Sequence, residues 1–121
     1  MRIQIIIIVL AALTSSAPFS SADLPGETLT NKDRRLQKDA LRDFDFIAAP
    51  RECRKRWQVI HTAVTKSPVT TNDEKEAGVV WTKWEELWTM DLCGTKASYH
   101  VRISKRSHSR ISLVQFLKVK I

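Results

Sequence analysis

Between residues 31 and 48, apolar side chains recur at three- and four-residue steps, at Leu36, Ala40, Leu41, Phe44 and Ile47. That spacing describes one stripe of an amphipathic helix. The opposite side carries Lys32, Arg35, Lys38, Asp39 and Arg42. Thr30 or Asn31 can cap the helix, and Asp33 in its first turn suits the positive end of the dipole. Pro50 disfavours helical geometry at Ala49 and ends the element.

After the helix the period changes. Residues 54–65 are rich in β-branched and aromatic types (Trp57, Val59, Ile60, Thr62, Val64, Thr65) and read as a strand. Residues 66–78, with Pro68, Asn72 and Asp73, read as a polar loop. Residues 79–92 fit two periods. Trp81, Trp84 and Trp88 fall at helical spacing, whereas Val80, Thr82, Trp84, Trp88, Met90 and Leu92 alternate with one break at Glu86. Ala97, Tyr99, Val101 and Ile103 alternate cleanly with polar residues, the pattern of a half-buried strand. Residues 105–110 form a polar connection. Residues 111–121 close the chain as a strand with Ile111, Leu113, Leu117, Val119 and Ile121 on one side.

The cysteines decide the ambiguous segment. Cys53 and Cys93 flank the two candidate strands, and their midpoint, Asp73, lies in the polar loop. A symmetric antiparallel hairpin would bring them together and would set Lys55 opposite Asp91 and His61 opposite Glu85, both favourable pairs. The expected architecture is α+β, an N-terminal helix packed on a four-stranded antiparallel meander with one disulfide. A bridge closing a loop of about 40 residues contributes roughly 4 kcal/mol in the chain-entropy view.

The N-terminus has the three-part order of a signal peptide: Arg2, an apolar run over 5–13, then small residues ending Ser20-Ser21-Ala22. The apolar run is short of the roughly 20 residues that span a bilayer. The expected organisation is a signal peptide over 1–22, a loose leader over 23–29 and one domain over 30–121. The expected compartment is periplasmic or secreted, where disulfides persist. No later segment is apolar enough to cross a membrane.

The stretch Glu86-x-Trp88-x4-Cys93-Gly94-x4-Tyr99-x-Val101 resembles a strand pattern in small bacterial periplasmic or secreted proteins of unknown function. The likeness spans about residues 53–103, and their earlier cysteine matches Cys53. It implies an exported, disulfide-stapled, sheet-rich domain and transfers no catalytic residue. After Ile103 the chain departs from the pattern, with Lys105-Arg106-Ser107-His108-Ser109-Arg110 where a glycine-rich turn is expected.

Candidate chemistry is sparse. His61, His100 and His108 lack metal-ligand spacing, and the cysteines form no C-x-x-C pair. Three glycines, Gly26, Gly78 and Gly94, are too dispersed for a phosphate loop or a nucleophile elbow. Glu85 and Glu86 are adjacent, so on a strand they face opposite ways. The sequence therefore points to no enzyme, metal or cofactor. A small periplasmic hydrolase would need His61 or His100 to meet a carboxylate in a cleft.

Charge adds a direction. The formal net charge is +7, with 20 Lys and Arg against 13 Asp and Glu, and it favours acidic partners. The candidate contact residues are Arg54, Arg56, Lys105, Arg106 and Arg110, with Trp81, Trp84 and Trp88 as either core or contact surface. The leading expectation is a non-enzymatic binding module, inhibitor- or immunity-like, for an unknown protein partner. The alternative is a binder of anionic envelope polymers or membrane surfaces. Export makes genomic DNA an unsuitable target.

Overall fold

The computed structural model describes residues 23–120, so the signal-peptide segment 1–22 and Ile121 lie outside the described residues. A short 3-10 turn, Thr30–Lys32, leads into helix α1, Arg34–Asp43, which runs on as a π-helical turn, Phe44–Ala48. A second 3-10 turn, Arg51–Cys53, precedes four strands: β1 Gln58–Asn72, β2 Val80–Leu92, β3 Thr95–Arg106 and β4 Ser112–Lys118. They pair antiparallel in chain order, so the sheet is the expected meander, with β1 and β4 at its edges.

The helix cap is Asp33, rather than Thr30 or Asn31. Its carboxylate accepts from the Leu36 amide at 3.1 Å and also receives the Lys105 ammonium of β3. One side chain thus satisfies an orphan helix donor and ties the helix start to the sheet. Leu36, Ala40, Leu41 and Phe44 are buried as the stripe requires. Ile47 departs from it. The bond from the Ala49 amide to the Phe44 carbonyl, 2.8 Å, spans five residues, and this wider turn carries Phe46 and Ile47 out into solvent.

Phe44 is the hub of the core. Its ring meets Trp57, Tyr99 and Phe116 edge-on, with centroids 4.7, 5.0 and 5.2 Å away. Trp84, Trp88, Met90, Val101 and Ile103 complete the layer between helix and sheet. Each buried aromatic of this size removes about 150–250 Å² from water, on the order of 4–6 kcal/mol of gross stabilisation.

The disulfide forms between Cys53 and Cys93, with Cα atoms 5.9 Å apart, but the expected register does not. Gln58 pairs with Asp91, Thr89 stands opposite His61, and Lys66 opposite Glu85. Cys53 lies off the sheet, and Lys55, at φ 63°, turns the chain so that Trp57 enters the core. Three register shifts then follow in β1, the last spanning Pro68. A proline is tolerated in an edge strand at a bulge, because no ladder donor is needed there. Half of the expected polar loop is therefore strand, and the true connection is 73–79.

All three connections between strands use left-handed backbone, the first at Gly78, φ 82°. Cys93 and Gly94, at φ 56° and 98°, form the two-residue link from β2 to β3, the conformation whose twist matches antiparallel strands. In the serine-rich β3–β4 turn, His108, at φ 54°, does what a glycine was expected to do. The expected apolar side of β4 faces outward: Ile111, Leu113 and Leu117 are exposed, while Val114 and Phe116 pack on the core.

Candidate interaction surface

Residues 23–29, expected as a loose leader, are anchored. The Glu27 amide donates to the Thr62 carbonyl at 2.9 Å, and the Thr62 hydroxyl donates to the Pro25 carbonyl at 2.7 Å. Gly26 passes so close that a Cβ would lie 2.3 Å from the Thr62 carbonyl oxygen. The strongest tie is Glu86, fully buried on β2. One carboxylate oxygen accepts from the Thr28 hydroxyl and the Trp88 indole, at 2.5 and 2.8 Å. The other accepts from the Leu29 amide and the Trp84 indole, at 3.1 and 2.7 Å. A buried carboxylate needs such donors to replace its lost hydration. The apparent break in the alternation is thus an inward-facing acid between two tryptophans.

All four indoles donate to carboxylates: Trp57 to Asp45, Trp81 to Asp73, and Trp84 and Trp88 to Glu86. Trp84 and Trp88 belong to the buried core, while Trp81 is half-buried beside Arg106 of β3.

The candidate basic residues fall into two groups at opposite ends of the sheet. Lys105 and Arg106 stand beside Thr82 and Trp81 at the start of β2, whereas Arg54 and Arg56 adjoin the disulfide near its end. Ten residues of strand separate the ends by on the order of 30 Å, well past the roughly 8–10 Å reach of exposed charges in salt. The first group is largely neutralised, since Lys105 pairs with Asp33 and Arg106 with Glu76. The Lys105 ammonium, bonded to Asp33, holds that carboxyl below its ordinary value. Arg110 is exposed in the turn.

The disulfide end differs. Arg51, Arg54, Lys55 and Arg56 are exposed, share their six-residue stretch with a single acid, Glu52, and make no ion pair among the described residues. Beside them Phe46 and Ile47 are 74% and 77% exposed. The Arg54 guanidinium lies 5.7 Å from the Phe46 ring centroid, within cation–π range. Three attachments hold this tip: Asp45 accepts from the Lys55 amide and the Trp57 indole, each at 2.7 Å, and the disulfide joins it to the β2–β3 turn. Sequence reasoning named Arg54 and Arg56 but missed Phe46 and Ile47. The signal was two apolar residues directly following Asp45, one of them off the helical stripe.

The histidines do not converge. His61 and His100 are exposed on separate strands, and no hydrogen bond joins either to a carboxylate among the described residues. His108 borders an open groove of about 440 Å³ with Leu29, Thr82 and Ser109, whose lining includes no acid. No group of three metal-binding side chains occurs among the described residues, and none of their helices is long and apolar enough to cross a membrane. Burial raises the Tyr99 phenol above its ordinary value. No protein-family model, curated protein or solved structure matches this chain.

Proposed function

We propose that this protein is an exported, non-enzymatic binding module that meets an acidic partner protein with the disulfide end of its sheet. The observation that carries this reading is the exposure of Phe46 and Ile47 on a turn fixed by Asp45 and the disulfide. Two large apolar side chains held rigidly in water are costly unless a partner covers them. The surrounding Arg51, Arg54, Lys55 and Arg56 favour an acidic surface and speed the encounter. The disulfide supports an oxidising compartment, in keeping with the signal-peptide reading and with the resemblance to small periplasmic proteins. An inhibitor- or immunity-like role fits a stapled tip that meets one partner without reshaping.

The test is affinity capture from envelope extract with the oxidised protein, wild type against a Phe46→Ser/Ile47→Ser variant. An acidic protein retained by the wild type and lost with the variant supports the reading. Identical capture by both contradicts it. A second reading, an anionic membrane surface, draws on the same apolar pair flanked by cations. Co-sedimentation with phosphatidylglycerol vesicles, absent with phosphatidylcholine and weakened by salt, favours that reading instead.

A further inference from the structure

We propose that the open edge of β4 is a second recognition site, which adds an extended segment of a partner protein with an apolar middle and acidic ends. The two sheet edges are unequal. β1 is interrupted by three register shifts and Pro68, and residues 25–27 lie across it at Thr62. Such devices keep a strand edge from pairing with foreign chains. β4 has none of them, and among the described residues no strand pairs with its outer side.

The ladder identifies the free groups. The Arg106 amide donates to the Ile111 carbonyl and the Val119 amide to the Ser98 carbonyl. Bonding residues alternate in an antiparallel pair, so Leu113, Gln115 and Leu117 turn their backbone towards β3. Ser112, Val114, Phe116 and Lys118 therefore offer theirs to the open edge. Residues 112–117 carry no charge, Leu113 is 60% exposed, and Val114 and Phe116 are only partly covered from the helix side. An incoming strand would lay its alternate side chains over Val114 and Phe116 on one face and over Leu113 on the other, while its backbone completes the ladder.

Charge selects the occupant. Arg110 precedes the strand, and Lys118 and Lys120 follow its apolar stretch. Arg110 and Arg35 also line, with Asp33 and Lys105, a groove of about 150 Å³ between the start of α1 and Ser112; Lys105 is taken up by Asp33 there, which leaves the two arginines to receive a carboxylate at one end of the added strand. A second copy of this chain, paired antiparallel about Gln115, would set Arg110 against Lys120 at both ends, and like charges directly opposite are destabilising.

The test titrates a blocked nine-residue peptide, with two glutamates at each end and alternating valine and threonine between, into oxidised ¹⁵N-labelled protein. The site requires saturable amide shifts over residues 112–118. Val114→Pro removes an outward-facing donor and no bond to β3, and should weaken binding about tenfold with the melting temperature as a control. Arg110→Glu/Lys118→Glu should lose this peptide and gain one with lysine ends; this pair carries the test if the proline variant does not fold. No saturable shift, shifts confined to the Phe46 tip, or affinity unchanged by the charge reversal would overturn the proposal. Dimerisation through β4 in sedimentation would overturn it equally, by making a second copy the occupant. The β4 edge and the Phe46 tip share no residue, so this outcome and that of the capture experiment are independent.

Discussion

Glu86 and Trp88 stand on the same inward face of β2, and the indole of Trp88 donates to the Glu86 carboxylate at 2.8 Å with both side chains fully buried. The carboxylate also receives Trp84, Thr28 and Leu29, so one acid joins the sheet to the segment before the helix. Glu86→Gln keeps the shape but turns an amide donor towards groups that are themselves donors. Such a mismatch costs about 1–3 kcal/mol. Glu86→Leu leaves both indoles and the Leu29 amide unpaired and should cost more. Urea unfolding at neutral pH checks the order, and a leucine variant as stable as wild type would refute the role assigned to the carboxylate.

Gly26 is the second fastening of that segment. Its φ is 94°, and a Cβ added there would lie only 2.3 Å from the Thr62 carbonyl oxygen, which leaves no room for a side chain. Gly26→Ala should cost on the order of 1–3 kcal/mol and expose the Glu27 amide. Hydrogen exchange at Glu27 reads this directly, and unchanged protection there contradicts the account.

Asp33 gives a pH signature. Its folded-state pKa lies below the ordinary 3.8, chiefly through the Lys105 hydrogen bond, so the unfolded chain takes up a proton first as pH falls. The stabilisation is complete above the ordinary carboxylate range and disappears as pH drops through the lower folded value. Asp33→Asn should therefore be less stable than wild type at pH 7, with the difference shrinking in strong acid. The pair is partly exposed, so its charge contribution is at most about 1 kcal/mol, and raised salt should reduce it. A difference that grows in acid has the wrong sign.

Reduction tests the staple. Opening the 40-residue separation between Cys53 and Cys93 should lower stability by roughly 4 kcal/mol. Amide exchange should rise most over residues 44–56. Uniform loosening of the whole sheet would show that the bridge supports the fold at large rather than the tip.

Strand and helix identity were legible in the chain wherever a period was clean. β3 announced itself through Tyr99, Val101 and Ile103, and α1 through Leu36, Ala40 and Leu41. The disulfide followed from compartment and count, but the hairpin register did not, because the bulges around Ile60, Thr65 and Pro68 each add a residue without altering composition. Pro68 and its polar neighbours read as a loop because an edge strand has no buried face to give it alternation there. Ile111, Leu113 and Leu117 suggested the core side of β4, and only the register with β3 shows that Val114 and Phe116 take it. Of the candidate contact residues, Arg54 and Arg56 sit at the tip, whereas Trp84 and Trp88 were drawn inward by an acid that looked like a flaw in the pattern.

The most direct measurement is an amide shift map of the oxidised ¹⁵N-labelled protein titrated with the acidic partner recovered by capture. The account predicts that the largest changes fall on residues 44–56, around Phe46, Ile47 and Arg54, and that Phe46→Ser/Ile47→Ser abolishes them. Changes centred on the outward sheet face, at Leu87 and His100, with the tip silent, would contradict it.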